Sequence, residues 1–108
     1  MKKLIAAGAA TALAAGALAI PAFAATKTVQ VKDNKFVASS ITVSKGTTVK
    51  WVWKGKAPHN VKVTKGPAKF SSTTQVKGSF SKKLTKKGTY SILCTIHAPG
   101  MKMTVKVK

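Results

Sequence analysis

The sequence predicts an all-β domain, a sandwich of two sheets with about seven strands, and three observations carry that prediction. Beyond residue 24 no stretch shows a helical period. Short Val- and Thr-rich runs are separated by Gly, Pro, Ser and Asn. Within several runs valine alternates with lysine or another polar residue at period two.

The first strand is expected at residues 27–32, where Val29 and Val31 share one side. The second is expected at 40–43. The third, at 47–53, carries Trp51 and Trp53 at one parity, which directs both into the core. In the fourth, at 60–64, Val61 and Val63 flank the outward Lys62. The fifth spans 75–84 and the sixth 88–95. The seventh, at 102–108, alternates through Thr104, Val105, Lys106, Val107 and Lys108. Alternation of this kind reads as antiparallel sheet with one solvated face. Seven short strands in so small a domain fit two packed sheets. Residues 96–101, between the last two strands, then form a loop at one end of the sandwich.

The first 24 residues differ in composition. Lys2 and Lys3 precede an uncharged, Ala-rich run from residue 4 to 20, followed by Pro21 and Ala22-Phe23-Ala24. A basic start, a short apolar stretch and a small-x-small ending describe a secretory signal peptide cut after Ala24. A retained membrane anchor is the alternative, but the run is at the short end for a bilayer span. The expected organisation is a signal peptide at 1–24 and one domain at 25–108, exported to the periplasm, the cell envelope or the extracellular space.

Charge narrows the chemistry. The 108 residues hold 20 lysines, no arginine and a single acidic side chain, Asp33, for a formal charge of +19. One Asp excludes mechanisms that need paired carboxylates, such as glycoside hydrolysis. Many lysines, among them Lys50, Lys62, Lys77 and Lys106, fall on the outward half of a strand alternation, where they also discourage edge-to-edge association. The near absence of acid is not explained that way, and it points to an anionic partner.

The scarce residues carry the sharper signal. His59 and His97 are the only histidines and Cys94 the only cysteine. Cys94, His97 and Met101 lie in CTIHAPGM with the spacing Cys-x2-His-x3-Met, and His59 sits 35 residues before the cysteine in APHN. Taken singly, each has a plain reading as a buried thiol, a surface imidazole or a packed thioether. Together they make the His2Cys set with a weak axial Met that marks a blue-copper electron-transfer site. Met103 competes for the axial place, but it begins the 103–107 alternation and is expected to pack. A structural zinc site fits less well, since such sites carry four Cys or His ligands. A Cys–His nucleophile would lack an obvious carboxylate to orient the histidine, though an Asn could serve; no catalytic signature accompanies the pair, so an enzyme is not expected.

These stretches resemble the plastocyanin/amicyanin-type cupredoxins. The resemblance rests on APHNV at 57–61, GTYSILCTIHAPGM at 88–101 and MTVKVK at 103–108, with residues 36–60 similar to the family's early strands. It implies a Greek-key β-sandwich holding one type 1 copper ion and carrying single electrons. His59, Cys94 and His97 would be the equatorial ligands and Met101 the axial one. Asn60 would tie the two ligand loops together through Thr95, and Tyr90 would be the buried tyrosine before the ligand cysteine. Plastocyanins place four residues between the second His and the Met, and amicyanins two; this chain has three.

The partner is expected to be an acidic redox protein docking near His97, where Ala98, Pro99 and Gly100 make a flat patch rimmed by lysines such as Lys56 and Lys102. The protein is expected to be a monomer that can associate with an anionic cell envelope. Without arginine, sequence-specific nucleic-acid recognition is not expected. Two other readings remain at this stage: a copper carrier or resistance protein using the same ligands, and a cationic polyanion-binding module.

Overall fold

A computed structural model describes residues 25–108; the expected export segment, 1–24, lies outside the described residues. Eight strands run in the order β1 Thr26–Lys32, β2 Lys35–Val37, β3 Ser40–Val43, β4 Thr48–Trp53, β5 Lys62–Lys65, β6 Ser79–Lys83, β7 Gly88–Leu93 and β8 Lys102–Val107. They form two four-stranded sheets, β2-β1-β4-β6 and β3-β8-β7-β5, the sandwich that the alternation implied, in the Greek-key form that the family resemblance implied.

The period-two pattern explains which residues meet between the sheets. Val29 and Val31 of β1, Val49, Trp51 and Trp53 of β4, Tyr90 and Ile92 of β7, and Met103, Val105 and Val107 of β8 all point inward and are buried. Each large apolar side chain so buried contributes about 1.5–3 kcal/mol. Trp51 stands opposite Phe80 of β6, and the Phe70 ring packs near Trp51, Phe80 and Tyr90. All 18 lysines of the described residues are exposed. Among the described residues one continuous core joins the two sheets, so residues 25–108 form a two-sheet sandwich.

Three details differ from expectation. The sheets are mixed, because β1 pairs parallel with β4 and β3 parallel with β8; alternation reports a half-buried face, not strand direction. A short strand, β2, adds Phe36 to the core, and three residues are too few to display a period. The expected strand at 75–84 is confined to Ser79–Lys83, with Gly78 at φ 90° before it. Gln75 instead forms an isolated bridge with His59, which bears directly on the site.

The registers also sort the loops into two ends. The β1–β2 turn, the β4–β5 loop and the β7–β8 loop gather at one end of the sandwich. The β3–β4 loop, the β6–β7 loop and Lys108 gather at the other.

Candidate metal centre

Cys94 follows directly on β7, and its N–H donates to the carbonyl of Met101 (2.9 Å) where β8 is about to begin. The N–H of Met101 donates in turn to the carbonyl of His97 (3.3 Å). The eight-residue loop 94–101 is thereby folded back on itself, and the His97 ring returns to the cysteine. His59 is fixed from the β4–β5 loop by a reciprocal backbone pair with Gln75 (2.9 Å each way). Its carbonyl also accepts from the indole N–H of Trp53 (3.2 Å). The two loops are joined by Asn60: its Oδ1 accepts from the N–H of Thr95 (2.8 Å), and its Nδ2 donates to the Thr95 hydroxyl (3.1 Å). The pairing of Asn60 with Thr95 is the one that the family resemblance implied.

The result is a triangle of donor atoms. His59 Nδ1 and His97 Nδ1 are 3.1 Å apart, and Cys94 Sγ lies 3.9 Å from the first and 3.7 Å from the second. The point equidistant from all three is about 2.1 Å from each, within the roughly 2.0–2.3 Å of imidazole and thiolate bonds to an ion such as zinc. His59 and Cys94 have no exposed surface, and His97 is half-buried. One soft thiolate with two imidazoles is the donor set that suits copper in both oxidation states. The residues present therefore fit the ion.

The two methionines separate. Met103 Sδ accepts from the indole N–H of Trp51 at 3.4 Å, so this thioether belongs to the core, as its place in the β8 alternation implied. Met101 is buried at the end of the ligand loop, its backbone bonded to both Cys94 and His97.

Asp33, the one acidic residue of the sequence, had no expected role, and the structure assigns it one. Asp33 lies in the two-residue turn between Lys32 and Lys35, followed by Asn34 at φ 68°, a conformation asparagine tolerates. Its Oδ1 is 3.0 Å from His59 Nε2, and the carboxylate also accepts from the N–H groups of Lys56 and Ala57. The hydrogen bond from His59, then those from Ala57 and Lys56, hold its pKa down at about 2. An ionised carboxylate can only accept, so His59 carries its proton on Nε2 and turns the Nδ1 lone pair to the site. Gly55 makes room for this arrangement: a Cβ there would collide with the Asp33 carboxylate. The signal was a two-residue Asp-Asn turn, but nothing local says that it sits beside His59. That follows from the parallel register of β1 on β4, which sets Val31 opposite Trp53.

This finding corrects one expectation, since a carboxylate does orient a histidine next to the cysteine. Yet Cys94 is fully buried beneath both imidazoles, and a nucleophile must be reachable by its substrate.

A two-sheet sandwich with this donor triangle at one end defines a class of small copper protein, and sequence comparison agrees. Residues 24–108 match the copper-binding proteins of the plastocyanin/azurin family, and the chain belongs to that family. Among curated proteins none matches the sequence significantly. Solved structures similar to it include amicyanin variants. A reduced one with a proline replaced by phenylalanine superposes with TM-score 0.69 at 30% identity, over 77% of this chain and 82% of that one. An oxidised one with a methionine replaced by leucine gives 0.68 at 29%, over 76% and 81%. A reduced one with a tryptophan replaced by tyrosine gives 0.69 at 28%, over 82% and 86%.

Proposed function

We propose that the protein is an exported electron carrier of the type 1 copper kind, in which His59, Cys94 and His97 would hold the copper ion and the Met101 thioether would add a weaker fourth donor. The observation that carries this reading is the buried triangle of two Nδ1 atoms and one Sγ. When bound there, copper supplies reversible one-electron exchange between Cu(I) and Cu(II). The chain's own part is to hold the donors still. Asp33 holds His59, Asn60 and Thr95 hold the two loops together, and the Cys94–Met101 pairing closes the ligand loop. Ligands tied this firmly support electron transfer over copper carriage, because a carrier must open to release its ion.

The His97 ring reaches the surface among exposed Ile96, Ala98, Pro99 and Gly100, and this supports it as the exit for the electron. Exposed Lys56 and Lys102 at that end steer an acidic redox partner onto it. Such an encounter needs only a small, weak interface. The basic, apolar, small-x-small pattern of residues 1–24 supports export, and the protein acts as a monomer and not as an enzyme.

Voltammetry of the copper-loaded protein tests this function. A reversible one-electron wave, with partner reduction rates that fall as salt rises, is the expected result. Tight Cu(I) binding with no reversible wave would assign the protein to copper carriage instead.

A further inference from the structure

The end of the sandwich opposite the metal site has a charge pattern that electron transfer does not use. The N–H of Lys45 donates to the carbonyl of Lys108 (2.9 Å), and the N–H of Gly46 to that of Leu84 (2.7 Å), so the β3–β4 loop, the β6–β7 loop and the last residue of β8's run meet there. Lys83 pairs with Thr48 at the start of β4, and Gly88 with Val107, which brings Lys87 beside Lys108. Lys86 is tied to the same end by its carbonyl, which accepts from the Tyr90 hydroxyl. Lys45, Lys83, Lys86, Lys87 and Lys108 are all exposed. The metal end also has exposed lysines, among them Lys32, Lys35, Lys54 and Lys56, but there Asp33 offsets one charge and the exposed Val76 and Ile96 interrupt them, about one six-residue strand or 20 Å from this pole.

We propose that this lysine pole docks the protein on the surface of an anionic phospholipid bilayer, leaving the His97 end facing away from it. Three features select a bilayer. The large exposed apolar residues, Val37, Val76 and Ile96, are absent from this pole, whereas a protein interface has an apolar centre and is depleted in lysine. The recess beside Phe70 and Tyr90 has a volume of only about 130 Å³, too small to seat a segment of a linear polyanion. Finally, the exposed lysines of this end come from three separate segments, and each acts as a point charge on a flexible stem, which suits a plane of phosphates. With no apolar residue to insert, attachment is electrostatic and reversible, and a docked molecule keeps its metal end free for a soluble partner.

Sedimentation of residues 25–108 with phosphatidylcholine vesicles, with and without phosphatidylglycerol, tests the proposal in about 0.1 M salt. At that ionic strength charges further than roughly 10 Å from the membrane are largely screened. The pole variant replaces Lys45, Lys83, Lys86 and Lys87 by Gln. A control of equal net charge replaces Lys32, Lys35, Lys54 and Lys77, which lie around the metal end. Circular dichroism and thermal unfolding establish that both remain folded. The protein is expected to bind the anionic vesicles and not the neutral ones. Each lysine at a membrane surface is worth roughly fivefold in affinity, so the pole variant is expected to lose at least about 20-fold and the control less than about 3-fold. Equal losses would show net charge acting without a face and would overturn the proposal. So would failure to bind anionic vesicles, or binding to inorganic polyphosphate chains without binding to vesicles. None of these outcomes depends on copper, so they are separate from the test of electron transfer.

Discussion

The Asp33 carboxylate lies 3.0 Å from Nε2 of His59 and holds the backbone N–H groups of Lys56 and Ala57 at the same time. One side chain thus fixes both the loop that carries His59 and the tautomer in which His59 meets the metal. Carboxylates in this position raise ligand basicity, and their loss typically costs 10–100-fold in metal affinity. Asp33→Asn is therefore expected to weaken copper binding by about 10–100-fold in a competition titration with a chelator. Gly55→Ala, which pushes a methyl group onto the same carboxylate, is expected to act in the same direction. Unchanged affinity in both variants would show that the loop holds His59 without Asp33.

Asn60 and Thr95 should behave as a coupled pair. Asn60→Ala leaves the N–H of Thr95 without its 2.8 Å acceptor, and orphaning such a group costs about 1–3 kcal/mol. Urea unfolding of Asn60→Ala, Thr95→Ala and the double variant is expected to give a coupling energy of about 0.5–3 kcal/mol. Additive losses would mean that the two loops are held by other contacts.

The methionines are expected to divide by readout. Met103→Leu removes the acceptor of the Trp51 indole N–H and should cost about 1–3 kcal/mol in unfolding while leaving the visible spectrum unchanged. Met101→Gln replaces a soft thioether by a harder oxygen donor that favours Cu(II). It is expected to lower the reduction potential by about 59 mV or more, tenfold in the ratio of the two states. The reverse pattern, with the potential moved by Met103 and not by Met101, would exchange their roles.

Tyr90 makes an alkaline prediction. Burial raises its pKa above the ordinary value of 10.0, so the unfolded chain ionises before the folded one. The stability this contributes is fully present below pH 10 and is lost as pH rises through the folded-state value. Stability measured by urea unfolding should therefore fall from about pH 10 upward. Tyr90→Phe should remove the tyrosine's share of that fall, while losing the 2.8 Å bond to the Lys86 carbonyl at a cost of about 1 kcal/mol at neutral pH.

What could be read from residues alone follows from the range of each interaction. The inward valines and tryptophans were legible because a strand's period is local. Cys94 and His97 were legible because they share one loop and a fixed spacing, and His59 because the chain has only two histidines. The parallel pairing of β1 with β4 was not, since it is set between segments about 20 residues apart. The part played by Asp33 was hidden for the same reason, as its turn reaches His59 only through that pairing. The alternation at 103–107 directs Met103 into the core, where its sulfur meets the Trp51 indole N–H.

Adding Cu(II) to residues 25–108 and recording the visible spectrum tests the central claim most directly. The buried Cys94 thiolate between two imidazoles predicts an intense blue absorption that dithionite or ascorbate bleaches and that Cys94→Ser never develops. A colourless complex, or the same colour in Cys94→Ser, would contradict it.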